Sequence, residues 1–491
     1  MILCLEKRLF RLTFFAWTCC LIFTADAINA QSLEWPDENP PPPLLAPEIQ
    51  FPEYELRQLD NGLQIVVVAA REQPVVNVRL IMRAGSSNDP ESKPGVASMA
   101  AQMLDQGAGD LTAEEIAKTI DNIGGALSVG AGSDLSFVNV LVMKDSFGLA
   151  LDTFADVIRR PRYDSRELER QRQQLLSSMQ VSYEDPGYIA NVVLGRLIYG
   201  MHPYGRPSNG TRASLASITR EDLVEFHRSH YLPNNAIVAI VGDVTTDEAV
   251  TGIKQVLGDW PQGVVPSRRS VEPPRPTNRL IVVDKPDAVQ TVVRVGHLTL
   301  PRAHPDFLNL DVAIKILGGE GGNRLGGVLR TARSLTYSAS ADLAGRQAIG
   351  DFMAKTETRS AATAEVLRLM VDEISRLRRV RVRRQELRGA QDYLAGNFPL
   401  TIETPNAIAT QVLEALVFGL DLDDLETYPE RIRSVSPHDI QRAARTFLQP
   451  ENLSIVLVGD AASFIDDLEE IGFENYELMS VSEVESSTVG F

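Results

Sequence analysis

Cysteine is nearly absent: the 491-residue chain has three, Cys4, Cys19 and Cys20, all near the amino terminus. There, Lys7, Arg8 and Arg11 precede the apolar run LTFFAWTCCLIFTA (12–25), and the small residues of ADA and INA follow. This is the layout of a cleavable secretory signal over residues 1–30. Its removal leaves no thiol, which excludes disulfides, thiolate metal ligands and cysteine nucleophiles together. The FAWT ahead of Cys19 and Cys20 lacks the Leu and small-residue context of a lipid-acceptor cysteine. Long hydrophobic runs are missing too. The apolar run falls short of the roughly 20 residues a membrane helix needs, and Pro36 and the PPPP at 40–43 open a Pro-rich linker, 31–52, rather than a stop-transfer segment. The expectation is export, to the periplasm if the cell is Gram-negative, with no stable membrane span after cleavage.

Positive charge is also in deficit. Lys and Arg number 48 against 65 Asp and Glu, a formal charge of −17, and such a field repels nucleic acid and anionic membrane surfaces. The run RLRRVRVRRQELR (376–388) has seven arginines, but it follows the amphipathic stretch AEVLRLMVDEISRL and reads as a solvated face pairing with the acidic remainder. Only six histidines are present, and only His227 and His230 are close, at a helix end where His suits the dipole. GGEGG (318–322) lacks the Lys-Ser/Thr ending of a phosphate loop. The serines around Ser98 have no paired histidine, which argues against a serine hydrolase.

What the chain does have is an internal duplication. ITREDLVEFHRSHYLPNNAIVAIVGD (218–243) returns as VSPHDIQRAARTFLQPENLSIVLVGD (435–460): Thr219 matches Ser436, Asp222 matches Asp439, Pro233 matches Pro450 and Gly242 matches Gly459, each displaced by 217 positions. The same offset carries Leu63 to Leu280. Repeats are sought before motifs because they decide the architecture. Each half shows β-branched strands (GLQIVVVAA, RLIVVD), alternating ones (PVVNVRLIMRAG, QTVVRVGHLTL), helical stretches and a closing strand, AIVAIVGD or LSIVLVGD. In LTAEEIAKTIDNIG, Thr112 and Glu115 form a capping box. The fold class is therefore α+β: two homologous domains, each a mixed, mostly antiparallel sheet covered by helices. The expected divisions are an N-terminal domain at 53–262, a Pro-rich linker at 263–278 that holds the halves apart, a C-terminal domain at 279–470 and an acidic tail at 471–491, whose last twelve residues, SVSEVESSTVGF, read as disordered.

Three stretches carry a resemblance: HPYGRPSNGT (202–211), LERQRQQLLSSMQVSYEDP (168–186) and NRLGGVLRTARSLTYSASA (323–341). In combination, and with the duplication, the chain from about 53 to 470 resembles the pitrilysin or insulinase-like zinc peptidases (inverzincins), the group of the mitochondrial processing peptidases and the two-subunit bacterial peptidases. The fold this implies is one half of a clamshell. The family's zinc helix carries His-x-x-Glu-His after Gly-x-Ala and before Met-Leu. Here Gly95-Val96-Ala97 is followed by Ser98-Met99-Ala100-Ala101-Gln102 and then Met103-Leu104. The resemblance thus places Ser98 and Gln102 where metal histidines stand, Ala101 where the catalytic glutamate stands, and Ser178 at the distal glutamate ligand. Catalytic zinc needs three donors drawn from imidazole, thiolate or carboxylate, and a base for its water. A hydroxyl, an amide and a methyl group supply neither, so no metal is expected in this chain.

The second half keeps more. Arg330 and Tyr337 stand seven apart, at the end of an amphipathic helix (Arg324, Leu325, Val328, Leu329) and within a strand expected from Leu335. Taken alone they read as a solvated cation and a core-edge tyrosine. The resemblance implies instead that they project toward the zinc of an opposite domain, where Tyr donates to a developing oxyanion and Arg fixes a peptide carbonyl. Family members often carry Asn-Ala, for backbone contact with peptide, near Ser128-Val129. Loss of the metal half with retention of Arg and Tyr implies a subunit inactive alone, partnered by a zinc-binding chain that supplies the metal and enclosing unfolded or short peptides. The alternative is a non-catalytic peptide-binding scaffold or chaperone of the same fold.

Overall fold

The computed structural model describes residues 51–486 apart from 268–270, 277, 287 and 320. The expected signal, all three cysteines, most of the first Pro-rich linker, part of the second and residues 487–491 lie outside the described residues.

The first half builds a six-stranded sheet in the order β1-β2-β6-β3-β5-β4 from β1 (Tyr54–Gln58), β2 (Gln64–Ala69), β3 (Val75–Met82), β4 (Ala126–Ala131), β5 (Ser136–Met143) and β6 (Ala236–Gly242). Its helices are α1 (Val96–Gln102), α2 (Ala113–Asp121), α3 (Phe147–Arg159), α4 (Ser165–Ser182), α5 (Pro186–Tyr199), α6 (Arg212–Ser217), α7 (Arg220–His230) and α8 (Thr246–Leu257). The second half repeats the plan in the order β12-β7-β11-β8-β10-β9, from β7 (Leu280–Asp284), β8 (Gln290–Leu298), β9 (Ala339–Ala344), β10 (Asp351–Arg359), β11 (Ser454–Gly459) and β12 (Glu477–Ser480). Its helices are α9 (Phe307–Ile314), α10 (Thr363–Arg379), α11 (Arg384–Asn397), α12 (Pro405–Phe418), α13 (Asp423–Glu426), α14 (Tyr428–Ser434), α15 (Pro437–Phe447), α16 (Ile465–Glu470) and α17 (Val481–Ser486). Only β2–β6 in the first sheet, and β7–β11 and β12–β7 in the second, pair in parallel. The expected capping box forms at the start of α2, with Thr112 and Glu115 satisfying each other's backbone N–H.

The central strands β6 and β11 are buried along their whole length, so each sheet needs cover on both faces. The halves provide it reciprocally. α5, from the first half, lays Ile189, Ala190, Val193, Leu194 and Leu197 on Ile281, Val283, Val292, Val456 and Val458 of the second sheet. α12, from the second half, lays Ile408, Ala409, Val412 and Leu413 on Val66, Val68, Ile81, Ile237, Ala239 and Val241 of the first. Each fully buried aliphatic side chain contributes about 1.5–3 kcal/mol. The Pro-rich linker therefore does not hold the halves apart. Two-sided apolar strands demand a second helical layer, and each half finds that layer in the other.

Two further expectations are corrected. The strand expected from Leu335 begins at Ala339. Before it, Thr336 Oγ1 donates to Glu357 O and Thr358 Oγ1 donates to Leu335 O, both at 2.7 Å, so side-chain hydroxyls replace the ladder bonds there. Of the last twelve residues, expected to be disordered, Val481–Ser486 form α17, and the tail ahead of them is ordered too. β12 joins β7 and α17 follows it, with Val484 fully buried, its carbonyl accepting from the Arg196 guanidinium at 3.0 Å, and Arg279 and Arg212 ion-paired to Glu477 and Glu485. The acidic residues that signal disorder in isolation here meet arginines of the folded body.

Candidate functional site

α1 is where the resemblance locates a metal, and it is packed shut. Gly95 precedes it at φ 100°, and a Cβ there would lie 3.0 Å from the Asn209 backbone, so that glycine permits the close approach of the 202–211 loop. Asp89 Oδ2 and Oδ1 accept the N–H groups of Gly95 and Ala97 at 2.6 and 2.7 Å, filling donors that no side chain of α1 satisfies. Burial pushes the Asp89 carboxyl up to about 7, against the pull of those two N–H groups. Along α1, Val96, Ala97, Met99, Ala100 and Ala101 are core residues, and Ser98 is buried. Ala101, where the resemblance looks for a catalytic base, has no exposed surface at all.

Ser98 and Gln102, one helical turn apart, are brought together. Gln102 Nε2 donates to Ser98 Oγ at 2.9 Å, and Ser98 Oγ donates to Asn209 Oδ1 at 2.8 Å. Three neutral side chains thus occupy the space that donors would need. Ser178 lies on α4 with an exposed side chain and makes no side-chain bond to Ser98 or Gln102. This set does not fit zinc, since none of its atoms is an imidazole, thiolate or carboxylate donor. Among the described residues no three His, Cys, Asp or Glu side chains converge as a metal cluster. His227 Nε2 bonds the Ile158 carbonyl at 2.8 Å and its ring stacks on Tyr231, while buried His230 packs on Phe226; desolvation lowers the pKa of both.

The second half presents the opposite environment. Arg330 lies in a π-helical turn, Gly326–Thr331, and its guanidinium sits 5.6 Å from the centroid of the Tyr337 ring. Tyr337 is 88% exposed, so it is not a core-edge residue, and Arg330 is exposed beside it. Among the described residues the pair forms no ion pair and no side-chain hydrogen bond with α1 or α4. π-helical turns cost hydrogen-bond geometry and concentrate at functional positions.

The HPYGRPSNGT stretch reads differently in three dimensions. Its Tyr204 hydroxyl bonds Asp134 and receives Ala348 N–H at 3.3 Å, and Arg346 lies over the rings of Tyr199 and Tyr204 at 5.1 and 5.0 Å. The Arg346 Nη1 reaches Ser133 Oγ at 2.9 Å, while Tyr199 donates to Asp351 at 2.6 Å. The β9–β10 turn of the second half is thereby locked into the first. The residues that sequence reasoning missed are Asn209, Asp89 and Arg346; the first sits inside the quoted motif, but nothing local marks it as a partner of Ser98. β4, carrying Ser128 and Val129, is the outermost strand of its sheet, and α1 packs against it.

Residues 64–212 match the family model described as Insulinase (Peptidase family M16), and residues 217–394 match that described as Peptidase M16 inactive domain. A protein of Mycobacterium leprae named as an uncharacterized zinc protease is 27% identical over 354 residues, which is 71% of this chain and 79% of that protein. The probable mitochondrial-processing peptidase subunit beta of Arabidopsis thaliana is 23% identical over 461 residues, 87% of this chain and 84% of that one. The crystal structure of a peptidase M16 inactive domain from Pseudomonas fluorescens superposes with a TM-score of 0.79 at 28% identity, covering 83% of this chain and 98% of that chain.

Proposed function

This chain belongs to the M16 peptidase family, the insulinase or pitrilysin-like group, and from that premise we propose that it is the metal-free subunit of an exported two-chain peptidase. It encloses unfolded or short peptides and turns Arg330 and Tyr337 toward the active site of a zinc-binding partner. The observation that carries the reading is the contrast between the halves: the positions where the resemblance looks for metal ligands and base hold Ser98, Ala101, Gln102 and Ser178, while Arg330 and Tyr337 stand exposed beside each other with no ion pair among the described residues to hold them for the fold's own sake. The partner's zinc supplies Lewis-acid activation of water when bound. This chain's guanidinium fixes a peptide carbonyl, and its phenol O–H donates to the oxygen on which negative charge develops.

The test is a reconstituted complex with an exported chain that carries an intact His-x-x-Glu-His. Arg330→Ala and Tyr337→Phe are each expected to lower peptide turnover about 100-fold, the usual effect of removing one preorganised donor, while neither chain cleaves alone. Unchanged turnover would leave only a peptide-holding scaffold. Full burial of Ala101 fits both readings, because neither asks this helix to activate water. Tightly held, stoichiometric zinc in the isolated chain would contradict both.

A further inference from the structure

The relay Gln102–Ser98–Asn209 is directional. Ser98 Oγ has one hydrogen, and because Gln102 Nε2 donates to it, that hydrogen goes to Asn209 Oδ1. The direction leaves the Gln102 carbonyl oxygen as an unused acceptor at one end and the Asn209 Nδ2 as an unused donor at the other, since neither has a partner among the described residues. Gln102 is half-buried and Asn209 exposed, so both ends reach the surface, while Ser98 between them is buried and fixes their separation. With relay bonds of 2.9 and 2.8 Å, the free ends lie within roughly 10 Å of each other, a span that covers the ~7 Å repeat of same-side groups along an extended chain.

A neutral acceptor and a neutral donor at that separation complement an amide backbone, and they offer an ion no counter-charge. The setting agrees. α1 packs against β4, whose outer edge no strand of the sheet occupies, and an edge strand presents a row of backbone N–H and C=O groups. Behind the relay, Ala101 admits no water.

We infer that the relay is a binding site for an extended peptide backbone: Gln102 Oε1 accepts a peptide N–H and Asn209 Nδ2 donates to a peptide C=O, so the place of the lost metal holds peptide uncut. This rests on the reading of the chain as a peptide-enclosing subunit. It adds residues that act in binding, independently of Arg330 and Tyr337.

The full chain is titrated, without its partner, into a fluorescein-labelled unfolded decapeptide of uncharged residues, and binding is followed by fluorescence anisotropy. Gln102→Leu and Asn209→Leu are each expected to weaken binding roughly tenfold, the effect of one hydrogen bond to an otherwise unpaired group. N-methylating the backbone amides of the decapeptide one at a time should find a position that costs the wild type a similar factor and costs Gln102→Leu nothing further. Melting curves confirm that the variants fold, as expected for side chains at the surface. Equal affinities of wild type and both variants, or no binding by the wild type, overturn the relay as a peptide site. Because the subunit reading is scored by turnover of the partnered complex, a fall there with Arg330→Ala leaves that reading standing when the relay fails.

Discussion

In the first half, the helix Val96–Gln102 is enclosed on nearly every side, its polar residues tied to one another and to Asn209. In the second half, the chain after α9 runs through two π-helical turns and leaves Arg330 and Tyr337 in the open. The halves have matching sheets and a 217-residue sequence offset, yet one ties its polar side chains into a relay with only the two ends free, while the other leaves a cation and a phenol in the open. Packing around this helix selects small and flexible apolar residues, as the buried Ala100, Ala101, Met99 and Met103 show. A pair with no packing role has no such pressure on it.

The contrast can be broken at its buried end first. Ala101→Glu should destabilise the chain by about 3–5 kcal/mol, because it forces a carboxylate without a partner into fully enclosed space; a urea titration that found it harmless would show the helix to be open after all. Next come the exchanged helices. Leu194→Ala and Leu413→Ala should each cost about 3 kcal/mol, and because α5 and α12 each lie on the other half's sheet, both variants should still unfold in one transition by circular dichroism. Two separated transitions would mean that the halves fold as independent units.

A pH-dependent effect is expected from Asp89. Its folded-state pKa, near 7, lies above the ordinary carboxylate value, so the folded chain binds more protons than the unfolded one between about pH 4 and pH 7. Its contribution then favours the fold at the acid end of that window and is lost as pH rises through 7, with a slope of at most about 1.4 kcal/mol per pH unit. Asp89→Asn should flatten that slope in melts taken across the window. The smallest effect sharpens the comparison from the exposed end: Tyr337→Ala should change stability by less than about 0.5 kcal/mol, which separates a residue kept for work from one kept for folding.

Much of this was legible in the sequence. The offset identified the duplication, the alternation of PVVNVRLIMRAG located β3, and Thr112 with Glu115 started α2. The neutral side chains at 98, 101, 102 and 178 are read from residue types alone. The exchange of helices has a sequence counterpart: Ile189, Ala190, Val193, Leu194 and Leu197 recur as Ile408, Ala409, Val412, Leu413 and Leu416, 219 positions later, each set following a proline at the helix start. An apolar stripe declares that a face will be buried, but not against which sheet. The tail misled for a similar reason, since its charges argue for disorder until the arginines at 196, 212 and 279 are placed beside it.

The sequence by itself determined two repeated α+β halves and the neutral side chains that stand where the resemblance looks for metal ligands, because local periodicity and side-chain type are properties of the chain alone. Only the tertiary structure decided that each half covers the other's sheet, that Asn209 completes the Ser98 relay and that Tyr337 stands in the open. Those are facts about partners 111 and more residues apart and about which surfaces water still reaches. Both are fixed when the apolar faces pair, and the linear order of residues does not specify that pairing.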